Sequence, residues 1–179
     1  MNKYMQSGSR IISDFDINKA SYFQVPAEHT VSILGDGGVY CKSESTQLKL
    51  RVDFGHSLGN LVYIGNGVSG NVSVKFTGND SIVYIGDYCR LNGVQIRSFQ
   101  NEDFVALGNY VSVTSNCVLI SGNGAGNSNP AIIVGDDCMI SNDVVIRSCD
   151  AHPMYSFDSG MQTNMPEAPV IIEPHVWLD

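Results

Sequence analysis

His152 is the residue whose type and position best suit chemistry. It lies in the segment Asp150-Ala151-His152-Pro153, which follows a run of apolar residues and begins a polar excursion. Imidazole gains and loses a proton near neutral pH, so a histidine here could act as a general base that takes the proton of an attacking hydroxyl group. The alternative is a histidine on a surface loop with no chemical role.

The residues around His152 add a second polar candidate. Asp150 could orient the imidazole ring or bind the hydroxyl of an acceptor, and it could equally be a turn residue. The other histidines, His29, His56 and His175, have no motif around them that carries chemistry. His175 lies at a turn position, where we expect it to be solvated.

The cysteines are interpreted as structural. The chain has five of them, an odd count, and no two form a Cys-x-x-Cys pair. This usage indicates neither a zinc site nor a disulfide framework, and we predict no bound metal. We expect free thiols that act as small buried apolar groups. These are Cys41, Cys89, Cys117, Cys138 and Cys149.

A repeat of six residues surrounds these candidates. Aliphatic residues recur at Leu107, Val113 and Leu119, with small apolar residues at Val111 and Cys117, and the stretch 134–146 follows the same pattern. Gly-Asp and Gly-Asn pairs, which suit tight turns, follow the aliphatic positions. Such a period predicts short strands in stacked coils that enclose an aliphatic core. An antiparallel sandwich is the alternative, but it gives no reason for a fixed six-residue step.

We therefore predict an all-β fold, a single-stranded parallel β-helix with an N-terminal cap. The repeat covers residues 58–179, and residues 1–57 are assigned to the cap and an irregular first coil. Residues 1–28 lack the repeat, and we expect them to close the open end of the coil stack, which a repeat protein must cover.

Composition restricts the classes of partner. The formal net charge is −8, which argues against binding to nucleic acid or to an anionic membrane surface. No apolar run approaches the roughly 20 residues of a membrane span, and the first residues lack the apolar segment of a signal peptide. We expect a cytoplasmic protein of one architecture.

The repeat and two further segments together resemble the hexapeptide-repeat acyltransferases over about residues 58–179. The segments are Asp150-Ala151-His152-Pro153-Met154 and the later Ile171-Ile172-Glu173-Pro174-His175-Val176-Trp177-Leu178. The sequence is most similar to the branch that O-acetylates sugars and bacterial polysaccharides. The resemblance implies a left-handed β-helix, a homotrimer with active sites in the clefts between neighbouring copies, acetyl-CoA as donor and His152 as general base.

Three further site residues follow from the resemblance. Trp177 corresponds to a tryptophan near the pantetheine arm of the donor, although an aromatic residue that only covers a corner of the coil is an alternative. Thr114 lies where the galactoside enzyme of this family has an active-site asparagine. Asn116, two residues later, could substitute for it in binding the acceptor.

The chain stops at Asp179 in the middle of a repeat, whereas the family has several more coils that help to bind coenzyme A. We expect a truncated chain whose donor site is incomplete. Two functions stay open at this point. One is a sugar or polysaccharide O-acetyltransferase, or part of one, and the other is a β-helix that serves as a scaffold or binding module without turnover.

Overall fold

A computed structural model gives the fold and describes residues 5–24, 31–42, 47–122, 130–150, 152, 154–164 and 169–179. Its helices are α1 (Met5–Ile11) and a 3-10 helix (Lys19–Ser21). In the described ranges, no helix is long and apolar enough to cross a membrane. The strands are β1 (Phe23–Gln24), β2 (Val31–Leu34), β3 (Gly38–Cys41), β4 (Gln47–Asp53), β5 (Leu61–Ile64), β6 (Ser69–Phe76), β7 (Ile82–Ile85), β8 (Arg90–Ser98), β9 (Phe104–Leu107), β10 (Ser112–Ser115), β11 (Val118–Ser121), β12 (Ala131–Val134), β13 (Met139–Asn142), β14 (Val145–Arg147), β15 (Val170–Ile172) and β16 (Trp177–Leu178).

The strands form stacked parallel coils. One sheet has the order β1-β3-β5-β7-β9-β12-β15, and the other has the order β16-β13-β10-β8-β6-β4-β2. β11 pairs with β8 and β14, which gives the later coils a third side. Every pairing between these strands is parallel except that of β1 with β3. The predicted all-β, parallel β-helix architecture is confirmed.

The inside of the coils is an aliphatic ladder. Val113 pairs with Ile140, and Leu119 with Ile146, which are the positions that the six-residue period assigns to the core. All five cysteines are free thiols. Four of them are buried as predicted, and Cys149 is partly exposed.

The seven-stranded sheet is covered on its outer face as well. Tyr63, Tyr84 and Phe104 point away from the coil interior and are buried beneath the N-terminal segment. The ring of Phe15 lies 4.7 Å from that of Tyr84, and the ring of Tyr22 lies 5.1 Å from that of Tyr63. Burial on both faces is typical of strands that are apolar at every position.

The N-terminal segment therefore lies along the flank of the coils. We expected it over the open end of the stack, but within its described residues, 5–24, only β1 borders an end, where it pairs with the edge strand β3. The outward aromatic residues explain the difference, because without this cover they would be exposed to water. The predicted division between residues 57 and 58 stays a prediction.

A ladder of polar side chains aligns the turns that follow the seven-stranded sheet. Asp136 Oδ1 accepts a hydrogen bond of 2.7 Å from the backbone N–H of Asn109, and Asn109 Oδ1 accepts one of 2.7 Å from that of Asp87. Asp136 Oδ2 accepts the backbone N–H of Ser13 at 2.8 Å, which fixes the N-terminal segment to the same ladder. At Gly108, a Cβ atom would lie 2.5 Å from Asp136 Oδ1. The Gly-Asn and Gly-Asp pairs thus provide both the space and the hydrogen bonds that stack the turns.

Candidate functional site

His152 follows the last strand of a coil at a solvent-exposed corner of the prism. The chain leaves β14 at Arg147 and makes a turn at Asp150, whose Oδ1 accepts the backbone N–H of His152 at 3.2 Å. A carboxylate that binds the N–H two residues later forms an Asx turn. The turn role that sequence left open for Asp150 is thus present. The His152 side chain is exposed, as a group that must reach two substrates would be.

The excursion after His152 is a folded lobe, which we define as residues 154–164. Tyr155 and Gln162 form an antiparallel bridge, and the Ser156 N–H donates to the carbonyl oxygen of Met161 at 2.8 Å. Phe157 at its tip is fully exposed. The lobe therefore projects from the coils beside His152 and has its own backbone hydrogen bonds.

Asn164 joins the base of the lobe to the His152 segment. Its Nδ2 donates to the carbonyl oxygen of His152 at 2.6 Å and to Asp150 Oδ2 at 3.3 Å, while its Oδ1 accepts the Met154 N–H at 2.7 Å. These contacts hold the backbone on both sides of position 153. Sequence reasoning missed Asn164, because it lies in a non-repeating polar segment where neither period nor motif marks it.

The carboxyl group of Asp150 is held in its ionised form. The backbone N–H of His152 and the side chain of Asn164 lower its pKa by hydrogen bonding, and electrostatic interactions with His152 and Arg147 lower it further. The arrangement therefore sets an ionised carboxylate two residues before the exposed His152.

Asn116 and Thr114 do not lie beside His152 within one copy of the chain. Asn116 occupies the turn between β10 and β11 with a φ of 53°, and its Nδ2 donates to Asp143 Oδ1 at 3.2 Å. Asp143 precedes β14, whereas His152 follows it. This face of the prism is about five strand residues wide, which corresponds to roughly 16 Å. Asn116 and His152 are separated by that width.

Trp177 shares a face of the prism with Thr114. On β16, Trp177 pairs with Met139 of β13, which pairs with Ser112 of β10, and Thr114 lies two residues further along β10. Two inter-strand steps and two residues place Trp177 roughly 12 Å from Thr114. The indole is 69% exposed. The structure thus brings Thr114 and Trp177 to one face of the prism and Asn116 to the corner beside it. His152 and Asp150 lie at a different corner.

No protein-family model matches the chain, but it is similar to known acetyltransferases. A polysialic acid O-acetyltransferase of Neisseria meningitidis is 31% identical over 147 residues, covering 68% of this chain and 68% of that protein. A polysialic acid O-acetyltransferase of Escherichia coli O1:K1 / APEC is 36% identical over 47 residues, which cover 26% of this chain and 15% of the relative.

The crystal structure of the polySia specific acetyltransferase NeuO superposes with a TM-score of 0.69 at 22% sequence identity. The match covers 82% of this chain and 60% of the solved chain. This likeness shows a shared fold, the left-handed parallel β-helix that the resemblance implied.

Proposed function

The chain belongs to the hexapeptide-repeat acyltransferases, alongside the polysialic acid O-acetyltransferase of Neisseria meningitidis, and on that premise we propose that it transfers an acetyl group to a hydroxyl of a polysaccharide. The observation that carries the proposal is the 31% identity over two thirds of both proteins. Its acceptor is a sugar unit and its donor is acetyl-CoA. The chain spans 60% of the solved relative's length.

His152 is the general base of this proposal. Its imidazole takes the proton of the acceptor hydroxyl while the hydroxyl oxygen attacks the thioester carbonyl. The new C–O bond forms, the C–S bond breaks, and the proton is passed on to the leaving thiolate. The exposed position of His152 supports this role, as does Asp150, whose Oδ1 holds the backbone N–H of His152 at 3.2 Å.

Trp177 is proposed to contact the donor. Its exposed indole on β16 offers an apolar surface on which the pantetheine arm of acetyl-CoA can lie. Thr114 and Asn116 are proposed to contact the acceptor from the same side of the prism, and Asp150 from the side of His152.

A homotrimer would unite these two groups of residues. Within one copy, the face that carries Thr114 and Trp177 is separated from His152 by the width of β11 and β14. A neighbouring copy would set that face against the lobe of the next. The lobe supports this proposal by exposing large apolar side chains, which a contact between copies would bury. They are Met154, Tyr155, Phe157 and Met161.

The direct test is acetyl transfer from acetyl-CoA to polysialic acid, followed by thiol release and by mass analysis of the polymer. We expect His152→Ala to lower the rate by about 10² to 10⁴, the usual contribution of a general base. His175→Ala is the matched control, since His175 is also exposed near the same end of the coils. Undiminished transfer by His152→Ala would overturn the assignment of the base. If the unaltered chain transfers to no sugar acceptor yet binds one, the binding-module alternative is the correct function.

A further inference from the structure

Half of the basic residues of this acidic chain lie on one outer surface. Ten lysine and arginine residues accompany a net charge of −8. Six of the ten are exposed on strands β4, β6, β8 and β14. Arg90 lies at the start of β8, where it pairs with Ser112 of β10, and the other five lie on the continuous side that β4, β6, β8, β11 and β14 form. We call this surface the cationic face, and its basic residues are Lys49, Arg51, Lys75, Arg97 and Arg147.

The register of the strands places three of these cations on one line. Lys75 pairs with Arg97, Arg97 with Ile120, and Ile120 with Arg147. Three inter-strand steps give a line about 14 Å long. It ends at Arg147, the last residue of β14, five positions before His152. The pKa of Asp150 is lowered chiefly by its hydrogen bonds with the His152 N–H and the Asn164 side chain, and least by the charge of Arg147.

The cations of this face are not used by the fold. The ion pairs seen between described residues join Lys42 to Asp87 and His175 to Asp137, and neither involves the cationic face. Arg97 does donate a hydrogen bond, to Gln95 Oε1 at 3.0 Å, but that acceptor is neutral. Several unpaired cations on one surface repel one another, which costs stability unless an anion binds there.

The surface between the cations is concave and polar. A groove of about 510 Å³ is lined by Arg51, Lys75 and Arg97 together with Ser73 and Gln95. Hydroxyl and amide groups beside cations offer hydrogen bonds to sugar hydroxyls as well as charge to carboxylates. Asp53 also borders the groove, and its Oδ1 accepts the N–H of Gly55 at 3.0 Å.

We propose that the cationic face binds the acceptor as an extended acidic polysaccharide, with carboxylates on its sugar units, and leads it to His152. The proposal rests on the proposed function, which it deepens by naming the charge of the acceptor and the surface that holds it. Charge complementarity supports this occupant, since a polymer with repeated carboxylates can meet cations on successive strands. The narrow width of the stripe and the net charge of −8 disfavour a duplex nucleic acid.

The test measures binding without any donor present. Fluorescently labelled polysialic acid is titrated with the full chain at low and moderate salt, with neutral dextran and duplex DNA as alternative ligands. The double variant Lys75→Gln/Arg97→Gln removes two cations from the line. Arg10→Gln/Lys19→Gln changes the net charge equally but alters exposed residues of the N-terminal segment. Circular dichroism and the melting temperature verify that both variants fold.

We expect polysialic acid to bind more weakly as salt is raised, and about tenfold more weakly to Lys75→Gln/Arg97→Gln. The control pair should bind within about twofold of the unaltered chain, and neutral dextran should not compete. The proposal would be overturned if both double variants weakened the binding of polysialic acid equally, or if the chain bound DNA more tightly than polysialic acid. It would also be overturned if Lys75→Gln/Arg97→Gln, and not the control pair, converted the chain to monomers. The last outcome would mean that the face joins copies of the chain.

The two proposals can fail separately. If the unaltered chain shows no turnover but the binding pattern holds, the proposed function fails and this inference stands. If turnover is present and both variant pairs bind polymer equally, this inference fails alone.

Discussion

The side-chain amide of Asn164 donates a hydrogen bond of 2.6 Å to the backbone carbonyl oxygen of His152, twelve residues earlier in the chain. The same amide reaches Asp150 Oδ2, and the amide oxygen holds the Met154 N–H. One neutral side chain thus fixes the exit from the coil, the proposed base and the start of the lobe. Asn164 is a positioning residue, because it contacts the backbone of His152 and not the imidazole.

Asn164→Ala should lower acetyl transfer without unfolding the chain. The variant loses the three side-chain hydrogen bonds to the His152 segment and a fourth, in which Gln162 Nε2 donates to Asn164 Oδ1 at 3.2 Å. The backbone at His152 is then no longer fixed, and a displacement of about 1 Å can cost up to about 10²-fold in rate. We expect a ten- to hundredfold lower kcat with the pH dependence of the rate unchanged, since the base itself remains. The melting temperature should hardly move, because the lobe lies outside the core.

Ser159→Ala is the matched control for Asn164. Ser159 lies at the exposed tip of the same lobe, and its Oγ accepts the Met161 N–H at 3.3 Å. Its loss should leave the rate within about twofold, because the hydrogen bond is long and exposed. Equal losses of rate in the two variants would show that the lobe as a whole matters and that Asn164 has no particular positioning role.

Gly108→Ala tests the stacking of the turns. The added Cβ would lie 2.5 Å from Asp136 Oδ1 and 2.7 Å from the backbone of the next coil, which cannot move without breaking the ladder. We expect a loss of about 3 kcal/mol in the free energy of unfolding, measured in urea. Gly160→Ala is the contrast, because nothing lies within 4 Å of its Cβ position although φ is 62°. It should cost about 1 kcal/mol or less, and a similar loss in both would contradict the close-approach argument.

The sequence predicts the coil interior well because the interior repeats. Val113 and Ile140 are paired core residues whose positions follow from the six-residue step alone. Tyr63 and Tyr84 repeat too, but a strand that is apolar at every position does not reveal what covers its outer face. That cover is the N-terminal segment, which has no period. Asn164 was missed for a similar reason, since the lobe is held by individual contacts.

The cysteines predict a labelling pattern. Burial raises the pKa of Cys41 and of Cys117 to about 11 and that of Cys89 to about 12, so their reactive thiolate forms are scarce at neutral pH. Cys149 is partly exposed, although its Sγ lies 2.9 Å from the Gly122 carbonyl oxygen. We expect a thiol reagent to label one site rapidly in the native chain, identified by mass spectrometry as Cys149, and five sites in urea. Rapid native labelling of Cys89 would contradict the packed core.

Asp103 makes the fold depend on pH. It is 1% exposed in the turn before β9, and burial raises its pKa to about 6 from the ordinary 3.8, although Ser98 Oγ and the Gln100 N–H donate to it. Because the folded chain holds this proton more tightly than the unfolded chain, stability falls as pH rises from about 4 to about 6 and is constant above that range. The difference between the two pKa values corresponds to about 3 kcal/mol.

Asp103→Asn isolates this contribution, because asparagine resembles the protonated acid at every pH. All other titrating groups cancel in the difference between the two unfolding free energies, measured in urea from pH 4 to pH 8. We expect Asp103→Asn to gain up to about 3 kcal/mol relative to the unaltered chain between pH 4 and pH 6, and no more above pH 6. A difference that does not change with pH would mean that Asp103 titrates alike in the folded and unfolded chains, contrary to its burial.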